Sequence, residues 1–281
     1  MTIARRCAVL GHPVGHSLSP VLHRAAYDAL GLDWTYDAVD VTADRLEGFL
    51  DGLDEQWRGL SLTMPLKREV RRLLDHESEQ VRRAGVVNTV LLDGDGRTGD
   101  NTDIPGAVTA LDERYDGPVT RAVVLGGGAT ATSMVHALAD RGCRHVTIRV
   151  RDVARAADTV AAAGRHPRPP EVVVGALGDE PVATDIVAST VPAAVQTSEV
   201  VRHAEGARAV FDVVYDPWPT PLAAYALRSG QVLVSGLDLL VHQAARQVEL
   251  MTGVAEAPLS AMRTAGEAAW AASTGHGASQ G

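Results

Sequence analysis

The chain has 281 residues, enough for one large domain or two of ordinary size, and 46% of them are apolar, so a substantial core is available. Its net charge of −9 argues against a nucleic-acid partner, although a few local cations suffice to receive an acidic substrate. No apolar run is long enough to span a bilayer, the start MTIARRCAVLG lacks a signal-peptide pattern, and Cys7 and Cys143 stand far apart in strand-like runs, which together imply a cytoplasmic protein with reduced thiols.

Residues 5–10 read as a strand and 11–16 as a loop. Ser17-Leu18-Ser19-Pro20 follows, then an apolar helical period over 21–30 closed by Gly31. Ser19 fits the N-cap, Pro20 the first helical position and Gly31 the left-handed stop. Ser17 is not needed for that cap; two hydroxyls beside a helix N-terminus make a seat for a carboxylate. His12, His16 and His23 have no accompanying cluster of Cys or carboxylates, so no metal site is expected.

Residues 34–39 alternate as a strand, 44–53 as a helix and 59–62 as a further strand. Thr63-Met64-Pro65-Leu66-Lys67 then opens a helix over 67–74. Lys67 stands in its first turn, where the dipole disfavours a cation. Such a lysine is either simply solvated or suited to proton transfer. Residues 85–92 read as an apolar strand interrupted by Asn88 and Thr89. An amide there must find partners, by closing a local turn or by meeting a polar ligand, and the pattern leaves both open. Residues 93–96 are a hairpin turn. Gly99-Asp100-Asn101-Thr102-Asp103 leads into a helix through Pro105, with Asp103 either a dipole partner or one half of a polar pair with Lys67.

The centre of the chain is residues 121–142. A short apolar strand over 122–125 runs into Gly126-Gly127-Gly128-Ala129-Thr130-Ala131, and a helical period follows at Ala131, Met134, Val135 and Leu138. Strand, glycine turn and helix in this order give the glycine pattern its meaning as a dinucleotide site. Gly126 allows the tight turn, Gly128 leaves room for a pyrophosphate against the backbone, and small Ala131 lets the helix lie close on the sheet. The second strand, 145–150, ends at Arg151-Asp152, with Arg155 one turn on. The two arginines are suited to clamp a 2′-phosphate, which favours NADP over NAD; Asp152 is the counter-argument, and a solvated strand end the plain alternative.

Strands over 171–174, 185–188, 209–213 and 231–234 alternate with helical segments, the signature of an α/β fold with a parallel sheet covered on both faces. Thr190 and Val213 lie at strand ends, the edge where ligands bind in such sheets. Leu237, Leu240, Val241, Ala244, Val248 and Met251 mark a long helix with Gln243 beside its stripe. A second helix covers 258–270, and 273–281 reads as a frayed tail.

Taken together, Gly11-His12-Pro13, His16 to Pro20, Thr63 to Lys67, Gly85 with Asn88-Thr89, Gly99 to Asp103, Asp212 to Tyr215 and Gly236 with Gln243 resemble the shikimate dehydrogenase family, over residues 5–253. The resemblance implies a two-domain α/β protein. Its substrate-binding domain would comprise 1–103 with 238–281, and its Rossmann-type NADP domain 104–237. It implies reversible reduction of 3-dehydroshikimate to shikimate by NADPH, a step towards chorismate and the aromatic amino acids, in a monomer or homodimer. Ser17 and Ser19 would hold the substrate carboxylate. Thr63, Lys67, Asn88, Asp103 and Gln243 would hold the ring hydroxyls, with Tyr215 nearby and Lys67 with Asp103 as the acid–base pair. Gly126, Gly127, Gly128, Ala129, Thr130, Ala131, Arg151, Arg155, Thr190, Val213 and Gly236 would hold the cofactor. The chain departs from the family pattern at Val150 and Asp152, at Ala129-Thr130, at Val248 and Met251, and at Ser61, which replaces a frequent valine. Rival readings are a quinate/shikimate dehydrogenase using NAD, an aminoshikimate relative, or a non-catalytic NADP-binding regulator on the same fold. Retention of Lys67 and Asp103 argues against the last.

Overall fold

The computed structural model describes residues 4–94 and 96–275. The chain divides into two compact units, Met1–Thr102 with Leu240–Gly281, and Asp103–Leu239. The sequence reading puts its domain boundaries at 103/104 and 237/238, one and two residues from these.

The first unit holds a six-stranded mixed sheet in the order β2-β1-β3-β5-β6-β4. Its strands are β1 (Arg5–Gly11), β2 (Trp34–Asp40), β3 (Trp57–Leu62), β4 (His76–Glu77), β5 (Thr89–Asp93) and β6 (Gly96–Asp100). Strand β1 pairs in parallel with β2 and β3, and β5 is antiparallel to both β3 and β6. Because side chains alternate, β1 serves two cores. Ala8 and Leu10 pack with Leu60, Leu62, Leu66 and Val70 on one face. Cys7 and Val9 pack with Tyr27, Tyr36 and Met251 on the other. Each fully buried leucine here contributes about 1.5–3 kcal/mol.

Several expected boundaries move. The first helix is Ser19–Ala29, so Leu18 occupies the N-cap position without a side-chain bond, and Ser19 is not the cap. The turn is already closed one residue earlier, by Ser17 N–H to the Val14 carbonyl and Leu22 N–H to that of Leu18. Gly31 does adopt the left-handed conformation, φ +65°, that stops this helix. The expected helix over 44–53 is a 3-10 turn, Ala43–Arg45, followed by Leu46–Asp51. The one expected over 67–74 is a single α-turn, Leu66–Glu69, that tightens into 3-10 geometry at Val70–Leu73. The strand expected over 85–92 begins only at Thr89. The sequence reading missed the helix Glu79–Ala84, capped by Ser78 and ended by Gly85 at φ +68°. Val86 and Val87 are buried as a linker rather than paired as a strand. The hairpin closes on the pair Asp93 and Gly96; Asp95 lies outside the described residues. The last helix, Leu259–Gly275, runs into the expected tail, and 276–281 lie outside the described residues.

The second unit holds a parallel sheet in the order β12-β11-β10-β7-β8-β9. Its strands are β7 (Arg121–Leu125), β8 (His145–Val150), β9 (Glu171–Ala176), β10 (Ile186–Ser189), β11 (Ala209–Asp212) and β12 (Val232–Ser235). Every pair is parallel. The order reverses between β7 and β10, which makes the ends of those two strands the switch point of a doubly wound Rossmann-type sheet. Val123, Leu125, Val187 and Val210 pack on Leu222 and Ala226 of the helix Pro221–Arg228. Among the described residues no helix is long and apolar enough to cross a membrane. Cys7 and Cys143 fall in different units; both are buried and free.

Candidate active site

In the first unit the predicted residues gather at the carboxyl ends of β1 and β3 and the start of β5. Backbone bonds tie these segments together: Thr63 N–H to the Leu10 carbonyl, Leu62 N–H to that of Asn88, and Val87 N–H to that of Lys67. Lys67 and Asn88 are thereby held on adjoining segments. Lys67 and Thr63 are half-buried, and fully buried Leu66 anchors the turn between them. Ser17 and Ser19 also meet, the Ser17 hydroxyl accepting the Ser19 N–H at 3.3 Å. Ser19 is buried and Ser17 half-buried.

The Asn88 amide finds partners within the protein on both its atoms. Its Oδ1 accepts the Thr102 N–H at 2.8 Å, closing a link to the 99–102 segment. Its Nδ2 donates to Gln243 Oε1 at 3.2 Å, across 155 residues of chain. Asp103 follows Thr102 directly and is 5% exposed as the first residue of the helix Asp103–Arg114. Asp103 and Tyr215 belong to the second unit.

The histidines near Ser17 have separate employment. Exposed His12 pairs with Asp40 at 2.6 Å. His23 is wholly buried, bonds the Ser19 carbonyl at 2.9 Å and stacks on Tyr36 at 3.9 Å. Burial pulls its pKa down to about 4, so it is neutral near pH 7. A cavity of about 710 Å³ in this unit is lined by Arg5, Trp34, Trp57 and Arg58, at the amino ends of the strands, and by none of the predicted site residues.

In the second unit the glycine turn sits at the switch point. Gly126 has φ +111°, and a Cβ there would collide with the Thr190 hydroxyl. That hydroxyl is held on the Leu125 carbonyl at 2.9 Å. A Cβ at Gly127 would come within 2.9 Å of the Arg155 carbonyl oxygen. Gly128 differs: a Cβ would meet no protein atom within 4 Å. The protein itself therefore demands glycine at the first two positions but not at the third, which opens onto empty space. The helix Ala129–Asp140 starts there with no side-chain cap, leaving its first N–H groups for an anion, and Ala131 is fully buried against the sheet. From behind, Thr159 donates to the Gly127 carbonyl at 3.0 Å.

Past β8, Arg151 and Arg155 are exposed. The carboxylate of Asp152 is occupied in accepting the Ala154 N–H at 3.0 Å, as the cap of the 3-10 turn Val153–Ala156. Buried Arg149 is structural, paired with Asp179 at 2.8 Å. Gly236 lies against Val213, whose carbonyl a Cβ would strike. Just before Val213, buried Asp212 accepts from Thr220 at 2.6 Å and Gln196 at 3.0 Å. Burial nevertheless wins over those bonds and leaves its carboxyl pKa raised. These features fit a dinucleotide phosphate: a cradle that a third side chain would fill, an uncapped helix start and two free-standing guanidinium groups.

The family model described as "Shikimate dehydrogenase substrate binding domain" matches residues 9–90. That described as "Shikimate 5'-dehydrogenase C-terminal domain" matches 236–265. The NADP(+) shikimate dehydrogenase of Moorella thermoacetica is 37% identical, with 95% of this chain and 94% of that protein covered. The chain belongs to the shikimate dehydrogenase family. Among solved structures, shikimate dehydrogenase of Mycobacterium tuberculosis superposes with a TM-score of 0.85 at 38% identity, covering 94% of this chain and 99% of that one. The Thermus thermophilus shikimate 5-dehydrogenase, in complex with NADP(H) and shikimate, gives 0.79 at 32%, covering 94% and 99%.

The first unit of this shikimate dehydrogenase family member also holds residues that sequence reasoning passed over. Thr102 stood in a quoted motif without a role, and Ser61 figured only as a departure. Gln247 was missed altogether, yet a signal existed. It stands one helical turn after Gln243, on a helix whose neighbouring stripe is apolar, and an amide there needs buried partners.

Proposed function

We propose that the chain catalyses reversible reduction of 3-dehydroshikimate to shikimate, with the first unit receiving the carbocycle and the second NADP. The reading rests most heavily on the amide pair Asn88 and Gln243, joined at 3.2 Å and buried beside the segment that carries Lys67. NADPH, when held by the second unit, would supply the hydride for the C3 carbonyl carbon. Negative charge then develops on the oxygen, and in this proposal the Lys67 ammonium stabilises it and donates the proton that completes the alcohol. Asp103 holds that ammonium in place. Ser17 and Ser19 receive the substrate carboxylate, Thr63, Asn88 and Gln243 the ring hydroxyls, and Tyr215 a neighbouring position. Gly126 to Ala131 receive the pyrophosphate, Thr190, Val213 and Gly236 border the nicotinamide side, and Arg151 with Arg155 clamp the 2′-phosphate. A cytoplasmic setting, as monomer or homodimer, is part of the proposal; two free buried thiols support the former.

The test is a four-way absorbance assay at the reduced-nicotinamide band, pairing shikimate or quinate with NADP or NAD. Shikimate with NADP is expected to turn over fastest. Preference for quinate with NAD replaces the substrate assignment, and no turnover with any pair favours a regulator.

A further inference from the structure

Behind the amide pair lies a continuous line of buried polar groups, all within the first unit. The Tyr36 hydroxyl donates to Ser61 at 2.5 Å, and Ser61 donates to Gln247 Oε1 at 2.8 Å. Gln247 Nε2 donates to the Asn88 carbonyl at 3.2 Å and to Thr89 Oγ1 at 2.9 Å. Thr89 in turn donates to Asn88 Oδ1 at 2.9 Å. Asn88 Nδ2 then reaches Thr102 Oγ1 at 2.9 Å and Gln243 Oε1 at 3.2 Å. Tyr36 and Thr89 are 0% exposed, Gln247 1% and Ser61 4%.

Two backbone groups give this line a single direction. The Asn88 carbonyl can only accept, so Gln247 must turn its nitrogen towards it. Gln247 Oε1 then faces Ser61, Ser61 must donate, and the only useful role left to the Tyr36 hydroxyl is donor. The Thr102 N–H can only donate, so it claims Asn88 Oδ1. Because Gln247 fills an acceptor position on Thr89, the proton of that threonine is committed to the same Oδ1. Asn88 is left with its nitrogen aimed at Gln243.

We infer that Gln247, backed by Ser61 and Tyr36, is a positioning residue for substrate recognition. By committing the Thr89 proton to Asn88 Oδ1 it reinforces the orientation that the Thr102 N–H sets, with the Asn88 nitrogen facing Gln243, and it does so without touching substrate. The inference rests on the proposed roles of Asn88 and Gln243. Its consequence is discrimination: an amide locked in one orientation rejects a ring whose hydroxyl is missing or misplaced, since a buried polar group is then left unpaired.

The experiment measures steady-state constants for shikimate and NADP, with melting temperatures, on the full chain. The variants are Gln247→Met, Gln247→Glu, Ser61→Ala and Ser61→Thr, Asn88→Ala, and Gln247→Met combined with Asn88→Ala. Gln247→Met, which keeps the shape but loses the bonds, is expected to raise KM for shikimate about tenfold while KM for NADP stays within about twofold. Gln247→Glu should be at least as damaging, because a carboxylate faces the Asn88 carbonyl and draws the Thr89 proton away from Oδ1. Ser61→Ala should raise KM for shikimate less, and Ser61→Thr should restore it. On the Asn88→Ala background the Gln247 change should cost less than about twofold, since the residue it acts through is gone. An equal rise on both backgrounds, or an unmoved shikimate KM in a folded Gln247→Met variant, overturns the inference. Should Gln247→Met fail to fold, Ser61→Ala against Ser61→Thr decides. A wild type inert on shikimate overturns the reading beneath; an active wild type with unmoved variants overturns this inference alone.

Discussion

The two units prepare their candidate sites by opposite means. In the second, the decisive features are backbone: a positive φ at Gly126, open space over Gly128 and an uncapped helix start at Ala129. In the first they are side chains: Lys67, and Asn88 with Gln243, the latter pair joined to a buried hydrogen-bonded line whose members come from β2, β3, β5 and the helix Gly236–Thr252. Backbone recognition tolerates many sequences so long as certain positions carry nothing. Side-chain recognition depends on chemical identity at positions far apart. Damage to each unit should therefore read out on a different ligand.

The sharpest separation should come from Lys67→Ala. Losing a positioned acid is expected to lower kcat by ~10²–10⁴-fold while NADP affinity is unchanged. An unaltered kcat removes Lys67 from the chemistry. Next in size is a contrast between two glycines. Gly128→Val should melt close to the wild type yet raise KM for NADP by about tenfold or more, because the added group meets only the ligand. Gly126→Val should lose cofactor affinity and also about 1–3 kcal/mol of stability, because the backbone there is left-handed. Equal melting of the two variants breaks the distinction drawn between them.

Acid should separate the units more gently. Burial lowers the folded pKa of His23 from the ordinary histidine value of 6.5 to about 4. The unfolded state therefore binds more protons between those values, and stability of the first unit falls as pH drops from 6.5 towards 4. The span corresponds to roughly 3 kcal/mol. Asp212 in the second unit has the opposite sign. Burial raises its pKa, so its contribution is fullest at low pH and is lost as pH rises through the folded pKa. Hydrogen exchange at pH 4.5 and 7 should show protection lost first around His23, and His23→Phe should flatten that dependence. The smallest effect expected is on the thiols. Burial pushes Cys7 and Cys143 up to about 11, so neither should alkylate measurably in the native protein at neutral pH.

Much of this was legible before folding. Ten of the twelve strands were anticipated in kind by apolar runs and punctuation; the two-residue β4, too short to carry a pattern, and the polar β6, signalled only by the hairpin turn before it, were not. The glycine turn was legible because its geometry is local: strand, glycines and helix start lie within a dozen residues, and the φ requirement acts on the residue that bears it. Ser19 was misread as a cap because the chain closes its turn one residue early, a choice made by the Val14 and Leu18 carbonyls. The run 85–92 was misread because hydropathy cannot tell a buried linker from a strand; the left-handed Gly85 and the tie from Val87 to Lys67 decide it.

The amino-acid sequence alone settled which residue types were available and where the chain must turn, because sterics and periodicity operate over a few neighbours. Which way each amide points, and which distant partner makes it point there, was settled only by the folded chain. Ser61 and Gln247 are 186 residues apart, and Asn88 and Gln243 are 155 apart. A hydrogen bond acts over about 3 Å, so no regularity of spacing along the chain can announce a bond that exists only after two strands and a helix have packed.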